Sequence, residues 1–167
     1  MDSQHDAKPT ANRSPDTLRA FLRSEMIAVQ NYQLAGVELG RSAPPEIAEC
    51  LDSHRMRLLP LTARIDQLGV LPPDDSVLWS GLSRLLRNGT YQLGLHMVID
   101  GLAKTEILGL AEYRWHPAWL DRESLILVNE VLLPEQQRTH DLMLRLSLEG
   151  CGRTAARPAT SDATRVG

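Results

Sequence analysis

Two cysteines in 167 residues, Cys50 and Cys151, cannot form a disulfide framework. Neither has the close Cys or His neighbours of a zinc knuckle or a redox pair. Aromatic side chains are nearly as scarce, with one Phe, three Tyr and three Trp. A core must therefore be assembled from Leu, Ile, Val and Ala, a composition that favours helices. Basic charge is not in excess: 18 Lys and Arg face 21 Asp and Glu, for a net charge of −3. That balance lacks the cationic stripe which neutralises phosphates, so nucleic acid is not an expected partner. No apolar run approaches the ~18 to 20 residues of a spanning helix, and the opening MDSQHDAKPTANRS contains no apolar stretch of the kind a secretory signal needs. The expectation is a cytoplasmic protein with no membrane attachment, in which the glycosylation-type triplets at Asn12 and Asn88 carry no meaning.

What the sequence does contain is helical periodicity. Residues 1–13 and 150–167 are small, polar and aperiodic and read as disordered tails. Residues 14–149 between them read as one domain of four long helices. Ser14 and Pro15 make a cap and first turn for a helix that Gly40 stops. Its inward seam is Leu18, Leu22, Glu25, Val29, Tyr32, Gly36 and Leu39, with spacings of 4 and 3 in alternation. A second helix from Pro44 or Pro45 to Gly69 repeats the pattern as Ile47, Leu51, His54, Leu58, Leu61, Ile65 and Leu68, with Pro60 as a kink. A short extra helix is expected over 77–87. A third long helix, capped by Thr90 and reaching His116, has the seam Ile99, Ala103, Glu106, Leu110 and Tyr113. The last, capped by Asp121 and running to about Glu149, has Ile126, Glu130, Leu133, Gln137, His140, Leu144 and Ser147 inward. No alternating strand pattern competes.

The first and third long helices repeat one another, since Glu25 and Glu106 are each followed seven residues later by a tyrosine, Tyr32 and Tyr113. Each of these helices precedes one with a histidine in its seam, Glu25 with His54 and Glu106 with His140. A duplicated helical hairpin would bring all four together at mid-height. Burying unpaired carboxylates costs several kcal/mol, so two Glu and two His in otherwise apolar seams must satisfy one another or a third party. Two readings follow. Either the residues form a buried hydrogen-bonded layer completed by Tyr32 and Tyr113, or they hold a metal ion, because carboxylate oxygen and neutral imidazole suit Fe, Mn or Zn.

The seams, together with LRSEMIAVQNY, KTEILGLAEY and LLPEQQRTHDLM, resemble the ferritin-like superfamily, most nearly an uncharacterised bacterial family of ferritin-like four-helix bundles. The resemblance covers about residues 15–149. It implies an all-α antiparallel four-helix bundle and a metal site of Glu25, His54, Glu106 and His140, with iron, oxygen or peroxide as the associated chemistry. The family's di-iron members also place a bridging glutamate three residues before each histidine, and here those positions are Leu51 and Gln137. The expectation is therefore one Fe, Mn or Zn ion per chain at most, or none if the layer is structural. Gln137 and Glu130 are auxiliary candidates, as are Glu135, Gln136 and His96 with less reason. Gly94 and Gly101 would allow close helix approach. Apolar side surface, with Trp79, Trp115 and Trp119 as anchors, points to a homodimer.

Overall fold

The computed structural model describes residues 13–73, 94–115 and 117–155, and these are all-α with no strand among them. Helix α1 spans Ser14–Leu39, with Pro15 in its first turn, where a missing N–H costs nothing. Gly40 follows with φ of 50°, a conformation open to glycine at little cost, and the chain turns there. Helix α2 spans Pro45–Gln67 and ends before Gly69, whose φ is 68°. Helix α3 spans Leu95–Trp115. The short helix expected over 77–87, with Trp79, lies outside the described residues, as do Thr90 and His116, but Gly94 is described and non-helical, so α3 begins at Leu95 and not at the expected Thr90 cap.

The last helix, α4, is composite: α-helical Arg122–Leu127, π-helical Val128–Leu132 and α-helical Leu133–Ala155. Asp121 caps it as expected, accepting from the Ser124 backbone N–H at 2.9 Å. Burial would raise the Asp121 pKa, but hydrogen bonds from Ser124, Ser14 and Arg64 outweigh it and hold the carboxyl far below its usual range. The helix runs on past Glu149 to Ala155, so the tail expected from 150 is helical as far as Ala155.

Helices α1 and α2 pack as one hairpin and α3 and α4 as another. Two apolar clusters fill the space between the hairpins. One joins Tyr32 and Ala35 of α1, Ile47 and Cys50 of α2, Val98 and Leu102 of α3, and Met143 of α4. The other joins Leu18 and Phe21 of α1, Leu61 and Ile65 of α2, Tyr113 of α3, and Val128 and Leu132 of α4. Each cluster thus takes the end of one helix and the start of its hairpin partner, and α1 runs antiparallel to α3. Between the clusters lies a layer of buried polar groups. No described helix is long and apolar enough to cross a membrane.

Candidate functional site

The polar layer is built from all four helices. Glu25 and Tyr32 come from α1, His54 and Arg57 from α2, Glu106 and Tyr113 from α3, and Gln136 and Thr139 from α4, every one of them buried. Sequence spacing brings Glu25, His54 and Glu106 together as expected. His54 sits between the two carboxylates, with Nδ1 2.7 Å from Glu25 Oε2 and Nε2 2.8 Å from Glu106 Oε1. The tyrosines cross between hairpins: Tyr32 of the first donates to Glu106 at 2.6 Å, and Tyr113 of the second donates to Glu25 at 2.7 Å.

The fourth expected member is not in the layer. His140, its side chain 15% exposed, bonds through Nδ1 to Asp141 at 2.9 Å and to neither carboxylate of the layer. Gln137, one turn before it, is also outside, accepting from Arg114 at 2.6 Å and donating to Asp141 at 2.8 Å. Gln136 and Thr139, each one residue earlier, occupy the inward positions. The π turn shifts the phase within this helix without producing that offset, since the expected seam is two residues late before it, at Ile126 against Ser124, and one residue late after it. It holds about 4.4 residues per turn in place of 3.6, so the buried series Ser124, Val128, Leu132, Gln136, Thr139, Met143 contains one residue more than a regular 4/3 alternation allows. A seam phased on His140 places Ile126 inward where Ser124 stands; a seam phased on Ser124 arrives at Arg138 in place of Thr139. Glu130 lies within the π turn and is exposed. Glu135 accepts from Ser53 at 2.9 Å at the edge of the layer, and His96 lies 3.5 Å from Asp100, away from it. Leu51 packs against the first apolar cluster and does not point at the carboxylates.

Arg57 is the residue that seam spacing misses. Its side chain is among the most completely buried in the protein. It donates through Nη1 to Glu25 Oε1 at 3.0 Å and to Gln136 Oε1, and through Nη2 to Thr139 Oγ1 at 3.5 Å. Two buried carboxylates with one histidine leave the layer a positive charge short, and that deficit is the signal that points to a second cation within a turn of His54. Gln136 in turn donates to Glu106 Oε2 at 2.7 Å, and Thr139 donates to the same oxygen at 2.8 Å. Gln136 reaches Glu106 across bare backbone: a Cβ on Gly109 of α3 would lie 3.0 Å from its Nε2.

Every carboxylate oxygen therefore has a donor. Glu25 Oε1 takes Arg57 and Tyr113, and Oε2 takes His54. Glu106 Oε1 takes Tyr32 and His54, and Oε2 takes Gln136 and Thr139. Burial would lower the His54 pKa, but the charge of Glu25 and hydrogen bonds to Glu106 and Glu25 outweigh it, and the pKa is raised. For Glu106, burial works to raise the pKa while the hydrogen bond and charge of His54, with Tyr32 and Thr139, prevail and lower it. Arg57 Nη2, 2.8 Å from His54 Nδ1, would suit a neutral ring. A neutral ring can donate to only one carboxylate, so carboxylates at both nitrogens favour imidazolium. Burial and then the adjacent carboxylate push both tyrosines well above their ordinary range, keeping them protonated donors. Burial likewise pushes the Cys50 thiol up to about 12, which leaves it an unreactive neighbour.

A metal ion does not fit this donor set. Both nitrogens of the one histidine are engaged by carboxylates, the carboxylate oxygens are hydrogen-bonded throughout, and a guanidinium lies among them. Among the described residues no group of three or more His, Cys, Asp or Glu side chains is arranged to hold a metal ion. A cleft of about 210 Å³ between α1 and α3 does reach the layer, with Ile27, Ala28 and Leu108 in its walls and Glu25, His54 and Glu106 at its floor.

The layer has a pH signature. The raised pKa of His54 contributes stability that is complete below the unfolded value near 6.5 and is lost as pH rises through the folded value above it. The lowered pKa of Glu106 contributes stability that is complete above the unfolded value near 4.5 and is lost as pH falls through the folded value below it. The two overlap between about 4.5 and 6.5, so urea midpoints across pH 3 to 9 should peak in that interval. A maximum above pH 8 would contradict the charged histidine. The His54→Gln variant should lose the alkaline limb selectively.

Compared with known protein families, curated proteins and solved structures, the chain matches none.

Proposed function

We propose that the chain is a metal-free four-helix bundle of the ferritin-like kind, acting as an interaction module, in which an internal ion-pair layer stands where relatives of that architecture would hold metal. The observation that carries this reading is the Arg57 guanidinium, buried against Glu25 and Gln136 in the middle of the helices. With His54 protonated, two cations balance two carboxylates, and no net charge is left to attract a divalent ion. The role of such a layer is specification. Its donors and acceptors match only when the two hairpins meet in one register, whereas the apolar clusters on either side would tolerate slippage.

A second reading, a single Fe, Mn or Zn ion held by Glu25, His54 and Glu106, is favoured by the cleft that opens onto those carboxylates. Metal analysis of the full chain purified without chelator separates the two. The proposed reading expects far less than one ion per chain, and no gain in thermal stability on adding Fe2+, Mn2+ or Zn2+. A stoichiometric ion that disappears in a Glu25→Ala, Glu106→Ala variant would favour the second reading instead.

A further inference from the structure

Opposite its buried face, α3 presents a second seam. Met97, Gly101, Lys104, Leu108, Ala111 and Trp115 follow one another at spacings of 4 and 3, the same alternation that marks the helix's inner side. At 100° per residue they centre on the line diametrically opposite Glu106. Large apolar side chains on this line are open to solvent: Met97 is 59% exposed, Leu108 69% and Trp115 80%, with Ile107 beside them at 48%. A stripe of this kind running about 27 Å along one helix is what a helix shows to a partner rather than to water.

The order of residues along the stripe says which partner. Turned end for end about a two-fold axis near residues 106 and 107, the stripe meets itself in matched layers. Met97 faces Trp115 of the second copy, sulfur against aromatic ring. Gly101 faces Ala111, small against small, which lets the backbones approach. Lys104 faces Leu108, its aliphatic stem lying on the apolar side chain. Ile107 faces its own counterpart on the axis. On the flank turned toward α4, Asp100 falls opposite Arg114, an acid opposite a base, twice by symmetry. These are the layers of an antiparallel coiled-coil seam, in which each position of one type meets the other type across the axis.

We propose that the outer face of α3 is a homodimer interface, in which two copies pair antiparallel through Met97, Gly101, Leu108, Ala111 and Trp115, with Asp100 and Arg114 setting the register. This rests on the reading of the bundle as an interaction module and names its partner as a second copy of the chain. The two stand or fall separately: a monomer would remove the interface without creating a metal site, and metal in the native chain would overturn the module reading without altering the stripe.

The test uses the full chain with Cys151 replaced by serine. Light scattering at about 50 µM should give twice the chain mass, a concentration at which a dimer of micromolar affinity is mostly formed. Leu108→Lys sets lysine against Lys104 of the partner and should yield a monomer with unchanged helical circular dichroism, because Leu108 is already exposed within one chain. Asp100→Arg should weaken the dimer at least tenfold, and Asp100→Arg with Arg114→Asp should restore it. Ile107→Cys, on the axis, should cross-link to a covalent dimer under mild oxidation, while Met97→Cys should not. A native chain that is monomeric at this concentration overturns the proposal. So does a dimer that survives Leu108→Lys and fails to cross-link at position 107, which would place the contact elsewhere, such as the groove where Met56 and Leu59 of α2 face Val131 of α4.

Discussion

Replacing Arg57 with methionine should lower the stability of the fold by about 3–5 kcal/mol, the usual cost of removing one partner from a buried ion pair. Methionine keeps most of the aliphatic volume, so the loss isolates the charge. Without the guanidinium, Glu25 Oε1 keeps only the Tyr113 hydroxyl, Gln136 Oε1 loses its donor, and one carboxylate charge is left uncompensated in a dry interior. Urea unfolding at pH 6 measures it: the midpoint should fall at an unchanged m-value. A change under about 1 kcal/mol, the net worth of an ordinary hydrogen bond, would mean that the guanidinium is not what neutralises the layer.

The opposite substitution should turn the layer into what the sequence first resembles. Arg57→Glu places a third carboxylate beside Glu25, Glu106 and His54 and removes the cation among them. With chelator present this variant should be less stable than Arg57→Met, since three carboxylates then face one histidine. With Zn2+ supplied it should bind about one ion per chain and recover stability, by roughly 2.7 kcal/mol at a hundred-fold excess over the dissociation constant. Native mass spectrometry of native chain and variant side by side is the measurement. Equal uptake by both would show that Arg57 does not decide metal exclusion. Leu51→Glu and Gln137→Glu, the substitutions that the di-iron pattern suggests, should recruit no metal: Leu51 belongs to an apolar cluster and Gln137 to the outer face with Arg114 and Asp141.

Three of the four helices are legible from spacing alone, because α1, α2 and α3 obey one period throughout, and the ends of α1 and α2 are marked by Pro15, Gly40, Pro45 and Gly69. On those helices Glu25, Tyr32, His54, Glu106 and Tyr113 fall where the seams put them. The fourth helix is read out of phase on both sides of its π turn, a change of period that nothing in VNEVL announces. His140 was drawn inward by its resemblance to a ligand, while the hydroxyl and amide of Thr139 and Gln136, inconspicuous in sequence, do the inward bonding. Arg57 was missed for a different reason. Seam reading looks for apolar residues and tolerates a polar one only on the line, and Arg57 lies just off it beside Leu58. Its long side chain covers the difference, which spacing of Cα positions does not register.

The exchange of tyrosines between hairpins bears on how the molecule folds. Within the α1–α2 hairpin, Glu25 has His54 and Arg57 as partners, but Tyr32 has lost its acceptor and one nitrogen of His54 faces no carboxylate; within α3–α4, Glu106 keeps Gln136 and Thr139 while Tyr113 has nothing to donate to. Neither half completes its hydrogen bonds alone, and neither closes an apolar cluster alone. Local helix formation can therefore precede docking, but the stable state arrives only when the halves dock, and the most slowly exchanging amide protons should be those flanking Glu25, His54 and Glu106, which open only when the whole molecule does.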